Sequence, residues 1–589
     1  MECYELQEEN TELKLLKQEI TYGNNKDKFK TFAIETAGGK TTTSIDAMIE
    51  GIKNPFNKRK YIFISKFKAE CLDITKKINS KFHKQKAIAL IFDETMKSEY
   101  CTNNIYEIKN YEIIITTHST YCNIVNPTTE KHKELRNVIS NKFHTLIIDE
   151  EINPVKDGYF EFSKAEIETL QILLNSYNKN IGNDFRNLVD KLLEELNSSE
   201  YKPKNQLHRV KEIDIDKCII DEYYLTIKND IKSMNEEWLK DNTKETINSL
   251  LNKIDYIYNT WISIIDYIAL INVKEGKIYS YNYNFKYLML KNNIWLDASA
   301  SFYTMYQNKL FDVVGTKRII NHSKCKVNIT KIKTTTSAKN IDKNFRDIIT
   351  KYINSHVDEN NKGLILTKKI ECTSLLTEEK YLKNNTNISI LNFENMRGVN
   401  KYRDYKQCFY IHTYRLSPAY YVFLYEYFND VVLKDEEIEV KRININEWGF
   451  ANKKDIQELM ISDMASSMYQ GLKRVQRNDE PRAVFHIFCK ETDVIIMALE
   501  QMEGIMTKDI LKITEEKPTG NKETIINWIE NEWDKKRITC KDVYENLGIP
   551  QQTWSAIWKD ENFIKLMKKK RVKIGYTKHS KKTMYLMKY

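Results

Sequence analysis

The stretch FKTFAIETAGGKTTTSIDAM, residues 29–48, has the pattern of a buried strand, a glycine-containing loop and the first turns of a helix. Glycine permits tight backbone curvature, so the amides of Ala37, Gly38 and Gly39 can surround a phosphate group. A helix that begins directly after such a loop adds the positive end of its dipole at the same place. The stretch therefore predicts a phosphate-binding loop on a strand–loop–helix unit.

Six consecutive residues are the predicted nucleotide-binding set: Ala37, Gly38, Gly39, Lys40, Thr41 and Thr42. Lys40 would reach the β- and γ-phosphates of ATP, and the hydroxyl of Thr41 would hold Mg²⁺. The loop departs from the full G-x-x-x-x-G-K-[ST] pattern, because Ile34 stands where the first glycine belongs. ATP and Mg²⁺ are the expected cofactors.

Downstream, FHTLIIDEEI is an apolar run that ends in Asp149, Glu150 and Glu151. Neighbouring carboxylates at a strand end repel each other unless a cation or a water network uses them. We expect Asp149 to hold Mg²⁺ together with Thr41, and Glu150 to act as the base that orients the attacking water. A solvated acidic turn is the alternative interpretation of this triplet.

Short apolar, β-rich runs alternate with amphipathic stretches on both sides of a segment that has helical periodicity. Such alternation predicts parallel α/β sheets. The strand pair expected near 278–290 and the run NIWLDASAS would return the chain to the first sheet. The predicted divisions are an N-terminal helix at 1–28, a first lobe at 29–335 with a helical insertion at about 156–275, a second lobe at 336–504, a linker at 505–530 and a basic domain at 531–589.

The composition is that of a soluble globular protein, with 41% hydrophobic and 30% charged residues. No run of about 18 apolar residues suggests a membrane span, and the charged N-terminus does not resemble a signal peptide. The ten cysteines are scattered and form no C-x-x-C pair. Neither a disulfide framework nor a zinc site is expected, and a reducing, cytoplasmic setting is predicted, in a host cell if the chain is viral.

Positive charge is concentrated at the C-terminal end. Residues 531–589 contain 15 Lys and Arg against 6 Asp and Glu, so they carry +9 of the formal net charge of +10. The segment resembles a helix-turn-helix, with a first helix at 541–547, a turn at 548–552 and a second helix capped by Thr553. A basic β-wing would follow. The residues predicted to contact nucleic-acid phosphates are Lys568, Lys569, Lys570, Arg571 and Lys573,.

Further along the chain, YQGLKRVQRND places Gln470, Arg474 and Arg477 at spacings that would fall on one face of a helix,. Arginine is suited to stabilising charge on a transferred phosphoryl group. A solvated basic helix face is the alternative. In this order, after a phosphate loop and an acidic strand end, the motifs together resemble those of the superfamily 2 (DExD/H-like) helicases.

The resemblance covers about residues 30–490 and assigns roles to further positions. Lys66 falls at motif Ia, LDASAS (297–301 at its core) resembles motif III, and RGVNKYRDY resembles motif V. The nucleic-acid contacts implied by the resemblance are Lys66, Thr117, His118, Arg397 and Asn400. Gln470, Arg474 and Arg477 would be catalytic with Glu150, as motif VI.

The resemblance implies two tandem RecA-like lobes and an ATP-dependent helicase or translocase. The chain lacks the usual Pro-Thr-x-Glu of motif Ia and an adenine-reading glutamine motif, for which Phe29–Phe32 could substitute beside the base. These departures fit a divergent viral, phage or plasmid-borne helicase that unwinds DNA during replication. Nucleic acid is the expected partner, DNA before RNA, with replication proteins as further partners; oligomeric state and polarity stay open.

Two other functions are compatible with parts of the pattern. A packaging terminase would need an acidic nuclease cluster near the C-terminus, where this chain is basic. A replication initiator or transcription factor could use the same ATPase fold as a DNA-binding switch without unwinding. Retention of Lys40, Glu150 and Arg477 disfavours an inactive ATPase but does not separate a switch from a motor.

Overall fold

Eight strands between residues 29 and 314 form one parallel sheet, and most of them are apolar and buried on both faces,. Its strands are β1 Phe29–Phe32, β2 Tyr61–Ser65, β3 Ala87–Leu90, β4 Cys101–Thr102, β5 Ile113–Thr117, β6 Thr145–Asp149, β11 Asn292–Leu296 and β12 Phe311–Val314. They lie in the order β12-β1-β11-β6-β2-β5-β3-β4. The carboxyl ends of β1, β6 and β2 therefore lie at one edge, where ligands of parallel sheets bind.

Helices cover this sheet and begin at its strand ends. They are α1 Thr11–Tyr22, α2 Lys40–Lys53, α3 Lys68–Asn79, α4 His118–Val125, α5 Glu130–Lys142 and the short α6 Pro154–Asp157, with 3₁₀ turns at Ile108–Asn110 and Thr304–Tyr306. The apolar face of α2 packs with α1 over the sheet, where Leu16, Met48 and Phe32 are buried in one core. The start of α2 is thereby held against the end of β1.

Between β6 and β11 the chain forms a separate layer that combines helices with a small antiparallel sheet. Its elements are β7 Tyr159–Ser163, α7 Lys164–Tyr177, α8 Lys179–Asn197, β8 His208–Arg209, α9 Lys217–Lys232, α10 Glu236–Asn242, α11 Ile247–Ile265, β9 Leu270–Asn272 and β10 Lys277–Tyr281. The prediction that a strand pair near 278–290 returns the chain to the first sheet is wrong, because β10 pairs antiparallel with β7 and β9. The parallel sheet resumes only at β11, as NIWL predicted.

A second parallel sheet follows, in the order β13-β19-β16-β14-β15. Its strands are β13 Lys326–Thr330, β14 Gly363–Thr367, β15 Ile388–Asn392, β16 Gln407–Ile411 and β19 Val484–Phe488, and a hairpin is formed by β17 Val440–Asn444 and β18 Glu447–Phe450. The helices are α12 Phe345–Asn354, α13 Pro418–Asn429, α14 Lys454–Leu472 and α15 Thr492–Leu499. Two parallel sheets in one chain are consistent with tandem RecA-like lobes.

The computed structural model describes residues 11–93, 95–96, 98–127, 129–202, 206–213, 215–283, 285–330, 345–369, 385–393, 396, 401–444, 447–478, 480–505, 521–531, 533, 537–577 and 580–588. The chain divides into two compact units, one of residues 1–328 and 334–510, the other of 329–333 and 511–589. Both parallel sheets lie in the first unit, apart from the end of β13. No helix in the described ranges has the length and apolar character needed to span a membrane.

The second unit has helices and a three-stranded antiparallel sheet around its own core. Its elements are α16 Asn521–Asn531, β20 Arg537–Thr539, α17 Cys540–Asn546, α18 Gln551–Ile557, α19 Glu561–Lys569, β21 Val572–Thr577 and β22 Ser580–Lys588. Trp554 and Ile557 face this core, as predicted, and Trp558 packs against it. The predicted cap is wrong, because Thr553 lies inside α18, whereas Thr539 caps α17.

Candidate nucleotide site

The loop at residues 35–41 curves as the sequence predicts. Gly39 adopts a left-handed conformation with φ of 85°, and Ala37 does the same with φ of 73°. The amide of Gly38 donates to the carbonyl of Glu35 at 3.0 Å, which closes the turn. α2 then begins at Lys40. Backbone amides at a helix start form the kind of cradle that binds phosphate.

Lys40 and Thr41 extend from the loop towards polar partners. The ammonium of Lys40 donates to the carbonyl of Ile34 at 2.5 Å and to that of Glu35 at 3.2 Å. Burial lowers the pKa of Lys40 to about 8, and the nearby Asp149 carboxylate opposes that shift. The hydroxyl of Thr41 donates to Oδ2 of Asp149 at 2.8 Å. The structure thus pairs the two residues predicted to hold Mg²⁺, although they lie far apart in sequence.

Asp149 ends β6 and is buried. Its pKa is raised to about 7, first by burial and then by the adjacent Glu150 carboxylate. A divalent cation relieves this kind of repulsion, because it replaces the lost hydration of both groups. The hydroxyl–carboxylate pair of Thr41 and Asp149 is a hard oxygen donor set of the kind that Mg²⁺ prefers. The residues present therefore fit a magnesium ion.

Glu150 follows with φ of 69°, a conformation that is uncommon for residues other than glycine,. Its amide donates to the carbonyl of Leu296 at 2.9 Å, which holds the turn against β11. One carboxylate oxygen lies 3.5 Å from the guanidinium of Arg474, which is itself buried. The acidic triplet is therefore not a solvated turn, since its second member contacts a side chain from the other lobe.

The second lobe brings all three predicted motif VI residues to this place, but not on one helical face. α14 ends at Leu472, so Arg474 and Arg477 lie in the turns that follow. Gln470, in the last turn of α14, donates to Oδ1 of Asp297 at 3.2 Å and to the hydroxyl of Ser299 at 3.3 Å. The helical-face prediction is wrong, and Gln470 joins this segment to LDASAS by a contact that was not predicted.

A cavity of about 240 Å³ lies between these groups. Its lining comes from both lobes and consists of Thr36, Ala37, Gly38, Gly39, Lys40, Thr41, Thr42, Ser65, Lys66, Glu70, Asp149, Glu150, Leu296, Asp297, Ala298, Gln470, Arg474 and Arg477. Burial lowers the pKa of Arg477 to about 10, with Arg474 as the next cause, so the Arg477 guanidinium stays charged at neutral pH. Cations and a glycine loop face two carboxylates, which suits a phosphate chain with a divalent cation.

The sequence predicted no functional role for three residues that contribute to the site. Glu70, in the first turn of α3, lines the cavity, and burial raises its pKa. Glu35 and Lys473 are buried behind the loop and form an ion pair at 3.2 Å. The sequence carried one signal for Lys473, its position beside Arg474. It carried none for the pairing, because the partners lie in different lobes.

The predicted nucleic-acid contacts of the first lobe have different surroundings. Lys66 lines the cavity. Thr117 is buried and caps α4, and a ring nitrogen of His118 lies 2.8 Å from the carbonyl oxygen of Asp149. Both therefore contact protein at the strand edge, and their role in binding nucleic acid stays a prediction. Arg397 and Asn400 lie outside the described residues.

Phe29 and Phe32 do not lie beside a nucleotide base. Both are fully buried in β1. Phe29 packs edge-on against Trp295 and Tyr287, with ring centroids 5.0 and 5.5 Å apart. The suggestion that this stretch reads adenine is therefore wrong, since its aromatic rings fill the core of the sheet.

In the second unit the predicted phosphate contacts lie at the end of one helix and in the strand that follows. Lys568 and Lys569 are exposed in the last turn of α19, and Lys573 is exposed in β21. Lys570 caps the helix, and Arg571 has φ of 57° in the turn. The antiparallel strand therefore begins at Val572, and Lys568 and Lys569 belong to α19 and not to the predicted β-wing.

Comparison with known proteins identifies the first part of the chain. The family model of the DEAD/DEAH box helicases matches residues 18–176, which include the phosphate loop and the acidic triplet. No curated protein matches the sequence. By the family match, residues 18–176 are similar to the DEAD/DEAH box helicases, which are P-loop enzymes that hydrolyse ATP.

A comparison with solved structures found matches of low identity and low TM-score. The DUF1998 helicase MrfA bound to DNA and AMPPNP is 8% identical, with a TM-score of 0.34, and the match covers 83% of this chain. The chain spans half the length of MrfA, 50%. Mss116p bound to ssRNA and AMP-PNP is 12% identical, with a TM-score of 0.32, and the match covers 94% of this chain and 89% of Mss116p.

Proposed function

We propose that this chain is an ATP-hydrolysing enzyme of the DEAD/DEAH box helicase type and a nucleic-acid motor that unwinds DNA or translocates along it. The observation that carries the proposal is the position of Arg474, 3.5 Å from Glu150, with Arg477 on the same cavity as Lys40. Cations from one lobe meet the phosphate loop of the other, so hydrolysis requires the lobes to close. Closing and reopening of two lobes is the movement that a motor needs.

Different residues of the chain would have different roles at the phosphates of ATP. Mg²⁺-ATP, when bound, supplies the phosphoryl group that is transferred to water. Lys40 and the loop amides would hold phosphate oxygens, and Thr41 and Asp149 would hold the cation. Glu150 would orient the attacking water and accept its proton, while Arg474 and Arg477 stabilise the charge that develops. Gln470 would keep this arginine segment attached to Asp297.

DNA is the proposed track because of the second unit. Its described residues combine four helices with a three-stranded antiparallel sheet, a combination that resembles a winged helix-turn-helix. Exposed lysines on α19 and β21 would bind phosphates without reading sequence. We further propose that the bound DNA strand contacts Lys66, Thr117, His118, Arg397 and Asn400. The enzyme would act in replication of viral, phage or plasmid DNA in the host cytoplasm.

The experiment measures ATP hydrolysis with and without single-stranded DNA or RNA, together with strand displacement on tailed duplexes. We expect stimulation by DNA, and loss of hydrolysis in Lys40→Ala and in Glu150→Gln. Unchanged hydrolysis in both variants, or no effect of nucleic acid, would contradict the motor proposal. Arg477→Lys keeps the charge but loses the planar fork, and is expected to lower kcat by about 10-fold or more.

A switch without unwinding is the second candidate, since the basic second unit could bind DNA as an initiator or transcription factor does. In that case ATP would change the affinity for duplex DNA, and no strand would be displaced. The tailed-duplex assay separates the two functions, because only the motor releases the labelled strand at a rate that depends on ATP.

A further inference from the structure

Glu35, the first residue of the phosphate loop, is fully buried and has three partners. One carboxylate oxygen accepts the amides of Ile319 and Ile320, at 2.7 and 2.9 Å. The other lies 3.2 Å from the ammonium of Lys473. Ile319 and Ile320 belong to the segment that leads from the first sheet to the second. The start of the loop is therefore bound to the interlobe connection and to the second lobe at once.

Lys473 is only 6% exposed and lies between the end of α14 and Arg474. Its amide donates to the carbonyl of Tyr469 at 3.1 Å, which fixes the backbone at this point. Lys473 and Arg474 are joined by one peptide bond, so a backbone displacement at Lys473 would also displace the Cα from which Arg474 reaches Glu150. A Lys473 ammonium held by buried partners restricts such a displacement.

His322 completes the cluster from the connecting segment. Its Nε2 lies 2.8 Å from the Lys473 ammonium, and its amide donates to the carbonyl of Glu503 at 2.6 Å. An ammonium has only donors, so Nε2 must accept and the ring must be neutral. Consistent with this, burial lowers the pKa of His322 to about 4, with Lys473 as the next cause. The Lys473 ammonium therefore donates to the neutral ring of His322 and to the carboxylate of Glu35.

We propose that Lys473 is a positioning residue that sets Arg474 and Arg477 against the phosphates by binding Glu35 and His322 when the lobes close. The cluster joins the phosphate loop, the interlobe connection and the arginine segment through one buried ammonium. Closure of the lobes therefore acts directly on the position of the two arginines that stabilise the charge on the transferred phosphoryl group. This inference rests on the proposed hydrolytic role of the arginines.

Stability alone is a weak reason for such a pair. Removing two charges from water costs several kcal/mol, and a buried ion pair often contributes no more than apolar residues of the same volume. Two lobes that must separate in each cycle would lose little if this contact were apolar. A role in placing the arginines gives the charges a function that methionine cannot replace.

The test compares Lys473→Met, Glu35→Gln and Lys473→Arg in the full-length enzyme, using steady-state ATP hydrolysis and titration with a fluorescent ATP analogue. For Lys473→Met and Glu35→Gln, kcat is expected to fall about 10- to 100-fold, because a misplaced catalytic group costs this much. KM and nucleotide affinity should change less than about 3-fold. Lys473→Arg should recover part of kcat, and the Glu35–Lys473 double variant should be no worse than the poorer single variant.

Arg209→Met is the matched control. Arg209 forms another partly buried ion pair with the second lobe, through Glu426, away from the phosphate loop. Activity is normalised to folded protein by thermal unfolding and active-site titration. If Arg209→Met and Lys473→Met lower kcat equally, or if Lys473→Met leaves kcat unchanged, the inference is overturned. If Lys40→Ala also hydrolyses ATP at the wild-type rate, the proposed function fails as well.

Discussion

At the residue scale, Ala37 and Glu150 both have left-handed backbones, with φ of 73° and 69°. Ala37 lies in the loop that follows β1, and Glu150 directly follows β6. Side chains other than glycine adopt this conformation at a cost of about 1–2 kcal/mol. Glu150 gains from it, because the turn directs its carboxylate towards Arg474. Ala37 has no such contact on its methyl group, so its strain serves only the path of the loop.

Replacing Ala37 by glycine should therefore be tolerated. Relief of the left-handed strain offsets the larger entropy of the unfolded glycine, so the free energy of unfolding should change by less than about 1 kcal/mol. Gly38→Ala should behave oppositely, because its Cβ would lie 2.8 Å from Ile34 Cγ2 and 2.9 Å from the carbonyl oxygen of Glu35. Thermal unfolding and nucleotide titration measure both. Equal losses of nucleotide affinity in the two variants would contradict this explanation.

His486 in β19 is a second residue whose environment makes a prediction. Its Nε2 lies 2.9 Å from Oε1 of Gln407, its Nδ1 lies 2.9 Å from the hydroxyl of Tyr352, and its ring stacks on Phe409. These partners suit a neutral ring, which donates from Nε2 and accepts at Nδ1. Burial lowers the pKa of His486 to about 3, with His356 as the next cause.

The folded pKa of His486 is below the unfolded value of about 6.5, so the unfolded chain binds the proton more readily. Stability is therefore full above pH 6.5 and falls as the pH decreases towards 4, by about 1.4 kcal/mol per pH unit from this residue. Denaturant unfolding at pH 7.5 and 5.5 measures the slope. His486→Phe should reduce that slope, and an unchanged slope would exclude His486 as its source.

At the element scale, the layer between β6 and β11 is attached to the second lobe through β8. Arg209 pairs with Glu426 on α13, and its side chain donates to the carbonyl of Ile268 at 2.6 Å and to that of Leu433 at 3.2 Å. Glu426 is nearly fully buried and also accepts the amide of Leu433 at 2.8 Å. One guanidinium thus joins a strand, a helix and the loop that follows it.

Arg209→Ala should release this junction, because it leaves the Glu426 carboxylate buried without its cation. Breaking one side of such a pair costs about 3–5 kcal/mol. Hydrogen exchange should increase in residues 430–439, which contact β8 through Leu433 and Asp435. The double variant Arg209→Met with Glu426→Leu should recover most of the protection. If hydrogen exchange in Arg209→Ala increased only in the N-terminal sheet, Arg209 would not join this layer to the second lobe.

At the scale of the whole molecule, the charge is divided unequally between the two units. Residues 531–589 hold +9 of the +10 net charge, and the rest of the chain is nearly neutral. The first unit contains the candidate nucleotide site, and the second has the exposed basic helix end and strand. If this division corresponds to function, salt should act on binding to nucleic acid more than on basal hydrolysis.

Replacing Lys568, Lys569 and Lys573 together by glutamine should weaken nucleic-acid binding and reduce the dependence of log K on log salt concentration. Each lost phosphate contact lowers the magnitude of that slope by about 0.9 on duplex DNA, so the sum is up to about 3. Fluorescence anisotropy from low to moderate salt measures it. Lys232, Lys240 and Lys274, exposed in the first unit, changed to glutamine make the same charge change as a control.

Much of the architecture could be predicted because buried strands carry continuous apolar runs. FKTFAIET, FHTLIIDE and the second-lobe runs lie where they were expected. β8 and β9 escaped prediction because they contain only two and three residues, and β10 was assigned to the wrong sheet. A run of apolar residues indicates burial, but it does not indicate which neighbour a strand pairs with.

The phosphate loop shows how much of the site is determined by local sequence. The strand, the glycines, Lys40 and the acidic strand end are specified by adjacent residues, because backbone conformation and helix onset depend on local chemistry. The motif pattern also predicted that Thr41 and Asp149 share a cation, whereas tertiary structure alone decided that Arg474 meets Glu150 and that Lys473 meets Glu35. Those contacts join residues from different strands and lobes, and their distances depend on how the two sheets pack, which no local pattern encodes.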